Sequence, residues 1–112
     1  MQLFHGSRSK FTAHVGICLT DDRSAAADYA QGMGACGDVT TVNLAFAGLR
    51  VLKARRFDEG SRDACGDTTA EIAALQKRRV DVVEFEDEAP GGRRHMTWRV
   101  ITKKALKALT VG

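Results

Sequence analysis

Two apolar-patterned segments separated by a proline-glycine turn constrain the fold of this 112-residue chain more than any other feature. Residues 80–88 and 96–102 have the apolar content of strands, and residues 89–92 between them read Ala-Pro-Gly-Gly, which is typical of a turn. The pattern predicts an antiparallel hairpin whose tip carries Arg93 and Arg94. A sheet that is largely antiparallel is therefore expected.

The remaining segments add strands and two helices to this hairpin. An alanine-rich segment at residues 23–31 has high helix propensity, and Thr20, Asp21 and Asp22 before it are good N-caps. We expect further strands at residues 3–7, 16–20, 39–46 and 49–52, a second helix at 68–78, mostly loop at 53–67, and a short amphipathic turn at 103–109. The sequence thus predicts one α+β domain over residues 1–112, with two to three short helices.

Charge, hydropathy and cysteine content exclude several classes of protein. The 17 Lys and Arg against 14 Asp and Glu give a net charge of +3, but no aromatic residues interleave with the basic clusters to stack bases, so nucleic acid is an unlikely partner. No run approaches the ~18 apolar residues of a membrane span, so no membrane contact is expected. Cys18, Cys36 and Cys65 have no metal-binding or disulfide spacing, which indicates a cytoplasmic setting.

The first strand ends in His5-Gly6-Ser7, a combination suited to a polar ligand. Glycine lets the backbone approach a ligand closely, and the neighbouring imidazole and hydroxyl supply hydrogen bonds. A flat carboxamide or a ribose would fit such a set. The alternative is an ordinary surface histidine near the chain terminus.

Tyr29 and Asp87 are the other two candidates for chemistry. Tyr29 is the one aromatic residue in a helix of small and charged residues, so its ring either anchors the helix or faces a pocket. Alternation places Asp87 on the same strand face as Val83 and Phe85, while the three glutamates within residues 84–88 share the other, solvated face. A carboxylate on an apolar face is either hydrogen-bonded, here as a turn cap, or functional.

The two remaining histidines lack patterned partners. We expect His14 and His95 to be surface or loop residues, although a pairing of Cys18 with a histidine stays open.

Taken in chain order, these segments resemble the ADP-ribosyltransferases of the His-Tyr-Glu kind, the branch of diphtheria toxin and the poly(ADP-ribose) polymerases. The matching features are His-Gly-Ser at 5–7, Gly-Ile-Cys-Leu-Thr at 16–20, an alanine-rich helix with Tyr29, and Asp87. The opening Leu-Phe-His-Gly-Ser and the acidic segment 84–88, which precedes a Thr-Trp pair, are similar to small phage anti-CRISPR ADP-ribosyltransferases.

The resemblance implies two short, largely antiparallel sheets around a cleft that binds NAD+ as substrate, with no metal. His5 would hydrogen-bond the nicotinamide-side ribose, and the backbone of Gly6 would bind the carboxamide. Ser7 would support the same ribose, Thr20 would belong to the NAD+-binding set, and Tyr29 would stack on the nicotinamide ring.

The resemblance also implies a catalytic set of Asp87, His5 and Tyr29, in which the carboxylate stabilises positive charge on the ribose. The broad family has a glutamate where this chain has Thr97, whereas the anti-CRISPR-like group offers the aspartate that corresponds to Asp87.

The implied activity is transfer of ADP-ribose from NAD+ to a protein side chain, with a CRISPR effector subunit as one acceptor. Four alternatives stay open: transfer to a small molecule of the rifamycin type, plain NAD+ hydrolysis, a catalytically silent member that inhibits its partner by binding, and a basic domain that associates with RNA or DNA.

Overall fold

The computed structural model describes residues 1–7, 10–31, 37–54 and 69–112. The strands are β1 (Gln2–Ser7), β2 (Cys18–Thr20), β3 (Asp38–Leu44), β4 (Val51–Lys53), β5 (Val82–Glu88), β6 (Arg94–Val100) and β7 (Leu109–Val111). The helices are α1 (Arg23–Gln31), α2 (Thr69–Lys77) and α3 (Lys103–Lys107). No helix among these residues is long and apolar enough to cross a membrane.

The seven strands form one mixed sheet in the order β4-β5-β6-β2-β1-β3-β7. Every neighbouring pair is antiparallel except β4 and β5, which run parallel. The α+β class and the largely antiparallel sheet are confirmed. The expectation of two separate sheets is wrong for the described residues, because the pair Phe4↔Thr20 joins β1 to β2 and makes the sheet continuous.

The hairpin of β5 and β6 is the longest antiparallel ladder among the described residues. It runs from Val82↔Val100 to Glu88↔Arg94. The return strand therefore begins at Arg94 rather than at residue 96, and the tip is shorter than the sequence predicts. The Ala89 N–H donates to the Arg93 carbonyl over 2.8 Å, which closes the loop. This register places Asp87 directly opposite His95.

Two apolar clusters lie on opposite faces of the sheet. One face buries Leu3, Leu19, Val42 and Trp98 together with Ala105 of α3. On the other face, Val83 and Phe85 pack against the partly buried Ile72 and Leu75 of α2. Burying each large aliphatic side chain contributes about 1.5–3 kcal/mol, so both faces stabilise the sheet.

Helix α1 forms where its composition predicts and lies directly on β1. The Asp22 carboxylate accepts hydrogen bonds from the backbone N–H of Ser24 and Ala25, at 2.8 and 3.2 Å, which confirms the predicted N-cap. The helix buries its alanine face against the sheet. A side chain at Gly6 would overlap the Ala26 carbonyl, so only glycine allows the helix to come this close.

Some predicted segments differ from the structure or fall outside it. The expected turn at 103–109 is helix α3 followed by the start of β7, a strand that the sequence analysis did not anticipate. Thr102 caps α3, since its hydroxyl oxygen accepts from the Ala105 N–H. Residues 32–34, whose two glycines favour the end of helix α1, and most of the predicted loop at 53–67 lie outside the described residues.

Candidate functional site

Tyr29 and Asp87, which are far apart in the chain, meet at the tip of the hairpin. The Tyr29 hydroxyl lies 3.3 Å from Asp87 Oδ2 and 3.3 Å from the Glu88 carbonyl oxygen. Both side chains are exposed, Tyr29 to 36%. Helix α1 supplies the ring and β5 supplies the carboxylate, so the pair exists only because α1 packs beside the hairpin. The predicted placement of Asp87 on the Phe85 face is consistent with its pairing to His95.

The surroundings of Tyr29 keep it a neutral phenol. Burial of the hydroxyl has the largest effect and the Asp87 carboxylate adds to it, so the pKa of Tyr29 is raised above its ordinary value. A neutral phenol can donate one proton and accept at its oxygen. Tyr29 can therefore be a hydrogen-bond donor to Asp87 throughout the physiological range of pH.

His95 lies at the centre of this cluster, and its predicted place on the surface or in a loop is wrong. Its side chain is only 6% exposed. Nδ1 lies 2.9 Å from Thr20 Oγ1 and 3.2 Å from Thr97 Oγ1, and Nε2 lies 3.1 Å from the Tyr29 hydroxyl. The Tyr29 and His95 rings also meet edge to face, with centroids 5.6 Å apart.

One signal in the sequence could have found His95. A hairpin with matched strands about residues 89–93 places position 95 opposite position 87. Because the predicted return strand begins at residue 96, His95 was predicted to lie in the loop, and its pairing with Asp87 was not predicted.

Thr20 and Thr97 are buried residues whose hydroxyls contact His95. Thr20 is 4% exposed, and its hydroxyl contacts His95 and accepts from the Asp22 N–H over 3.1 Å. Thr97 is 2% exposed and also contacts His95. The structure thus places Thr20 with Tyr29 and Asp87, although under the surface of the cluster.

The ladder between β1 and β2 is interrupted beside Gly6. Met1 and Leu44 exchange both backbone hydrogen bonds, so along β1 the odd-numbered residues bond to β3 and the even-numbered ones face β2. Phe4 pairs with Thr20, and a continued ladder would next pair Gly6 with Cys18, but the register stops at Phe4↔Thr20. The Gly6 N–H therefore faces the β2 side of the strand, beyond the last pair of the ladder.

The His5 side chain contacts the backbone carbonyl of Cys18, which would accept from the Gly6 N–H if the ladder continued. Its Nδ1 lies 2.8 Å from the Cys18 carbonyl oxygen, and because a carbonyl only accepts, Nδ1 carries the proton. Burial has the largest effect on the ring, and despite the opposing hydrogen bond the pKa of His5 is lowered below its ordinary value. A neutral imidazole with Nδ1–H leaves Nε2 with a lone pair that can accept a hydrogen bond.

The predicted site residues thus form two groups rather than one. Tyr29, Asp87 and Thr20 meet at the hairpin. On β1, Gly6 faces α1, whereas strand alternation turns His5 and Ser7 toward the opposite face. Ser7 is half-buried at the end of the strand, where it pairs with Asp38, and the edge of the His5 ring contacts Phe11. The interrupted ladder lies between the two groups.

A groove of about 630 Å³ adjoins the hairpin cluster at the first turn of α1. Its walls include Phe4, Arg23, Glu86 and Met96, and His95 reaches its floor. None of the residues predicted for the site lines this groove. His95 is therefore the link between the groove and the Tyr29–Asp87 pair.

Other sequence-based expectations have mixed outcomes. His14 is exposed and its ring Nδ1 lies 3.0 Å from the neighbouring Val15 carbonyl oxygen, as predicted for a surface residue. Glu84 is half-buried and accepts from the Trp98 indole N–H over 2.9 Å, so it is not part of a wholly solvated face. Cys18 meets a histidine through its carbonyl rather than its thiol. Over residues 1–7, 10–31, 37–54 and 69–112, no group of three or more His, Cys, Asp or Glu is arranged to hold a metal ion.

Comparison of the chain with models of protein families, with curated proteins and with solved structures finds no match.

Proposed function

We propose that this protein transfers ADP-ribose from NAD+ to a protein side chain. The observation that carries the proposal is the interrupted ladder at Gly6. The Gly6 N–H, which faces β2 beyond the last pair of the ladder, and the neighbouring His5 imidazole, whose Nε2 can accept, are suitable contacts for a carboxamide and a ribose hydroxyl. This is the use that the family resemblance assigns to Gly6 and His5.

The Tyr29–Asp87 pair supports the same reaction. Transfer breaks the bond between the ribose C1′ and the nicotinamide nitrogen, so the cationic ring leaves as neutral nicotinamide and positive charge builds on the ribose. A nearby carboxylate stabilises that charge. The acceptor then forms a bond to C1′ and loses its proton to a base or to water. Asp87 is exposed and can take this role, while Tyr29 offers a ring face to the nicotinamide.

The test combines product analysis with variants. The protein is incubated with NAD+ and a bacterial lysate; nicotinamide release is measured by chromatography, and intact-protein mass spectrometry detects added ADP-ribosyl units. We expect both signals with the wild type and their loss with Asp87→Ala and His5→Ala. His14→Ala is the matched control, because the proposal does not use this exposed histidine and its effect on the pKa of His5 is the smallest of the three causes; the variant should keep most of the activity.

The products distinguish the remaining activities. Nicotinamide release with no modified protein would indicate NAD+ hydrolysis or a small-molecule acceptor, for which rifamycins are a direct probe. Neither release nor modification, with a folded protein, would refute enzymatic use of NAD+.

Two observations favour a second candidate function, inhibition of a partner by binding alone. The family's glutamate position is the buried Thr97, and the carboxylate of Asp87 already has two hydrogen-bond donors, the Tyr29 hydroxyl and the Glu88 N–H. Under this alternative, Asp87→Ala would still inhibit the partner, and no mass change would accompany inhibition.

A further inference from the structure

A continuous line of hydrogen-bonding groups runs from the start of α1 to Asp87 and passes through His95. The Asp22 N–H lies 3.1 Å from Thr20 Oγ1, and that oxygen lies 2.9 Å from His95 Nδ1. On the other side of the ring, Nε2 lies 3.1 Å from the Tyr29 hydroxyl, which lies 3.3 Å from Asp87 Oδ2. The sequence predicts no functional role for His95, and the proposed reaction does not use it.

One arrangement of protons uses every contact in this line. A backbone N–H only donates, so the Thr20 oxygen accepts there, and the hydroxyl still has its own hydrogen to direct to His95 Nδ1. A carboxylate only accepts, so the bond to Asp87 uses the proton of the Tyr29 hydroxyl, which lies at the same 3.3 Å from the Glu88 carbonyl oxygen. In this arrangement the Tyr29 oxygen accepts from His95 in its neutral Nε2–H form.

The opposite tautomer, with the proton on Nδ1, removes the hydrogen bond from Tyr29 to Asp87. With the proton on Nδ1, the ring would donate to Thr20 Oγ1 at 2.9 Å or to the Met96 carbonyl at 3.3 Å. Nε2 could then only accept, so the Tyr29 proton would be directed to it over 3.1 Å and Asp87 would lose its side-chain donor. Thr97, 3.2 Å from Nδ1, can also donate to that atom and so favours the first arrangement.

We propose that His95 is a positioning residue, held as the Nε2–H tautomer by Thr20 and Thr97, which aims the Tyr29 hydroxyl proton at Asp87. Through this line, the packing of α1 on the sheet sets the geometry of the tyrosine–carboxylate pair before NAD+ binds. His95 acts through Tyr29 and makes no contact with the substrate. The kinetic part of this inference rests on the proposed function, whereas the tautomer does not.

The tautomer can be measured without any activity. Long-range ¹H–¹⁵N spectra of ¹⁵N-histidine-labelled protein distinguish the two neutral tautomers and the imidazolium, and the His95→Gln variant assigns the signal. We expect the Nε2–H form at neutral pH. The Nδ1–H form, or a doubly protonated ring, would overturn the proposal.

Kinetics then test the positioning role with a matched pair of variants. In His95→Gln, a side-chain amide can still accept from Thr20 and donate to Tyr29, so kcat for nicotinamide release should stay within about threefold of wild type. His95→Leu removes both contacts and should lower kcat by about tenfold with little change in KM.

A double-variant cycle shows whether His95 acts through Tyr29. In a Tyr29→Phe background, His95→Leu should add less than about a twofold further loss, because the hydroxyl on which it acts is gone. Equal losses in both backgrounds, or no rescue by glutamine in a variant that circular dichroism shows to be folded, would overturn the positioning role. If the wild type releases no nicotinamide, the proposed function fails, and the tautomer measurement alone decides the state of His95.

Discussion

Strand β5 has an aspartate near each of its two ends, and the protein holds the two carboxylates differently. Asp81, just before the strand, is 6% exposed. Its Oδ2 accepts from the Arg50 N–H over 2.9 Å, and its Oδ1 accepts from the Thr102 hydroxyl over 2.7 Å. Each oxygen thus has a partner, and the carboxylate ties the start of β5 to the segments before β4 and α3.

Asp87, near the other end, is exposed and has looser contacts. Its Oδ1 accepts from the neighbouring Glu88 N–H over 2.8 Å, whereas the contact of Oδ2 among the described residues is the longer one, 3.3 Å, with Tyr29. A turn-capping carboxylate, the alternative that the sequence left open, accounts for the first contact and not for the second. The difference shows that Asp81 stabilises the fold, while Asp87 keeps one oxygen within reach of a ligand.

The pKa of Asp81 reflects this environment. Burial by itself would raise it, but the hydrogen bonds from Arg50 and Thr102 and the positive charge of Lys104 together outweigh burial. The pKa of Asp81 is therefore lowered in the folded protein, and its ionised form stabilises the fold.

The largest expected effect separates the two aspartates by activity. Asp87→Asn should lower the rate of nicotinamide release about 100-fold or more, because the proposed reaction uses the charge of Asp87 to stabilise the ribose. Its free energy of unfolding should change by less than about 0.5 kcal/mol, as for other exposed substitutions. Urea unfolding and initial rates on the same sample measure both quantities. Full activity of Asp87→Asn would contradict the proposed role of Asp87 in the reaction.

The next effect concerns stability. Asp81→Ala leaves the Arg50 N–H without its acceptor and should lower the free energy of unfolding by about 1–3 kcal/mol. Thermal and urea unfolding would show the loss. The remaining folded protein should keep wild-type kcat, and a selective loss of kcat at unchanged stability would contradict the structural role of Asp81.

A smaller effect is expected at Tyr29. Tyr29→Phe keeps the ring and removes the hydroxyl that reaches Asp87, so we expect a loss in kcat of about tenfold, smaller than that of Asp87→Asn. Stability should change little because the side chain is 36% exposed. Tyr29→Leu is the matched variant: a larger loss than with phenylalanine would show that the ring itself contributes, as stacking on nicotinamide requires.

The smallest effect is in the pH dependence of stability. Because the folded pKa of Asp81 lies below the unfolded value, its contribution is fully present above the unfolded pKa and is lost as the pH falls through the folded pKa. Asp81→Asn should therefore flatten the acid side of a plot of unfolding free energy against pH. Asp87→Asn serves as the control, and an equal flattening in both variants would contradict the assignment to Asp81.

Local patterns in the sequence predicted the elements that carry most of the site. Strand alternation placed Asp87 with Phe85, alanine content placed Tyr29 on a helix, and Asp22 was recognised as a cap. Each of these depends on residues a few positions apart, which is the range over which propensity and periodicity act.

The burial of His95 could not be predicted in the same way. Its partners Thr20 and Tyr29 belong to other elements, and the contact exists only when β2 lies beside β6 and α1 crosses toward the hairpin. The same holds for Asp81, whose acceptor role depends on Arg50 and Thr102, both distant in sequence.

The sequence by itself therefore determined the α+β class, the hairpin, helix α1 and the strand face on which Asp87 lies. The tertiary structure decided that the strands form one sheet, that the ladder stops at Phe4↔Thr20, and that His95 connects Thr20 to Tyr29. The physical reason is the distance in sequence between the groups that meet. A helix or a strand is favoured by its own residues, whereas an interrupted ladder or a buried histidine is stabilised only by the packing of elements far apart in the chain.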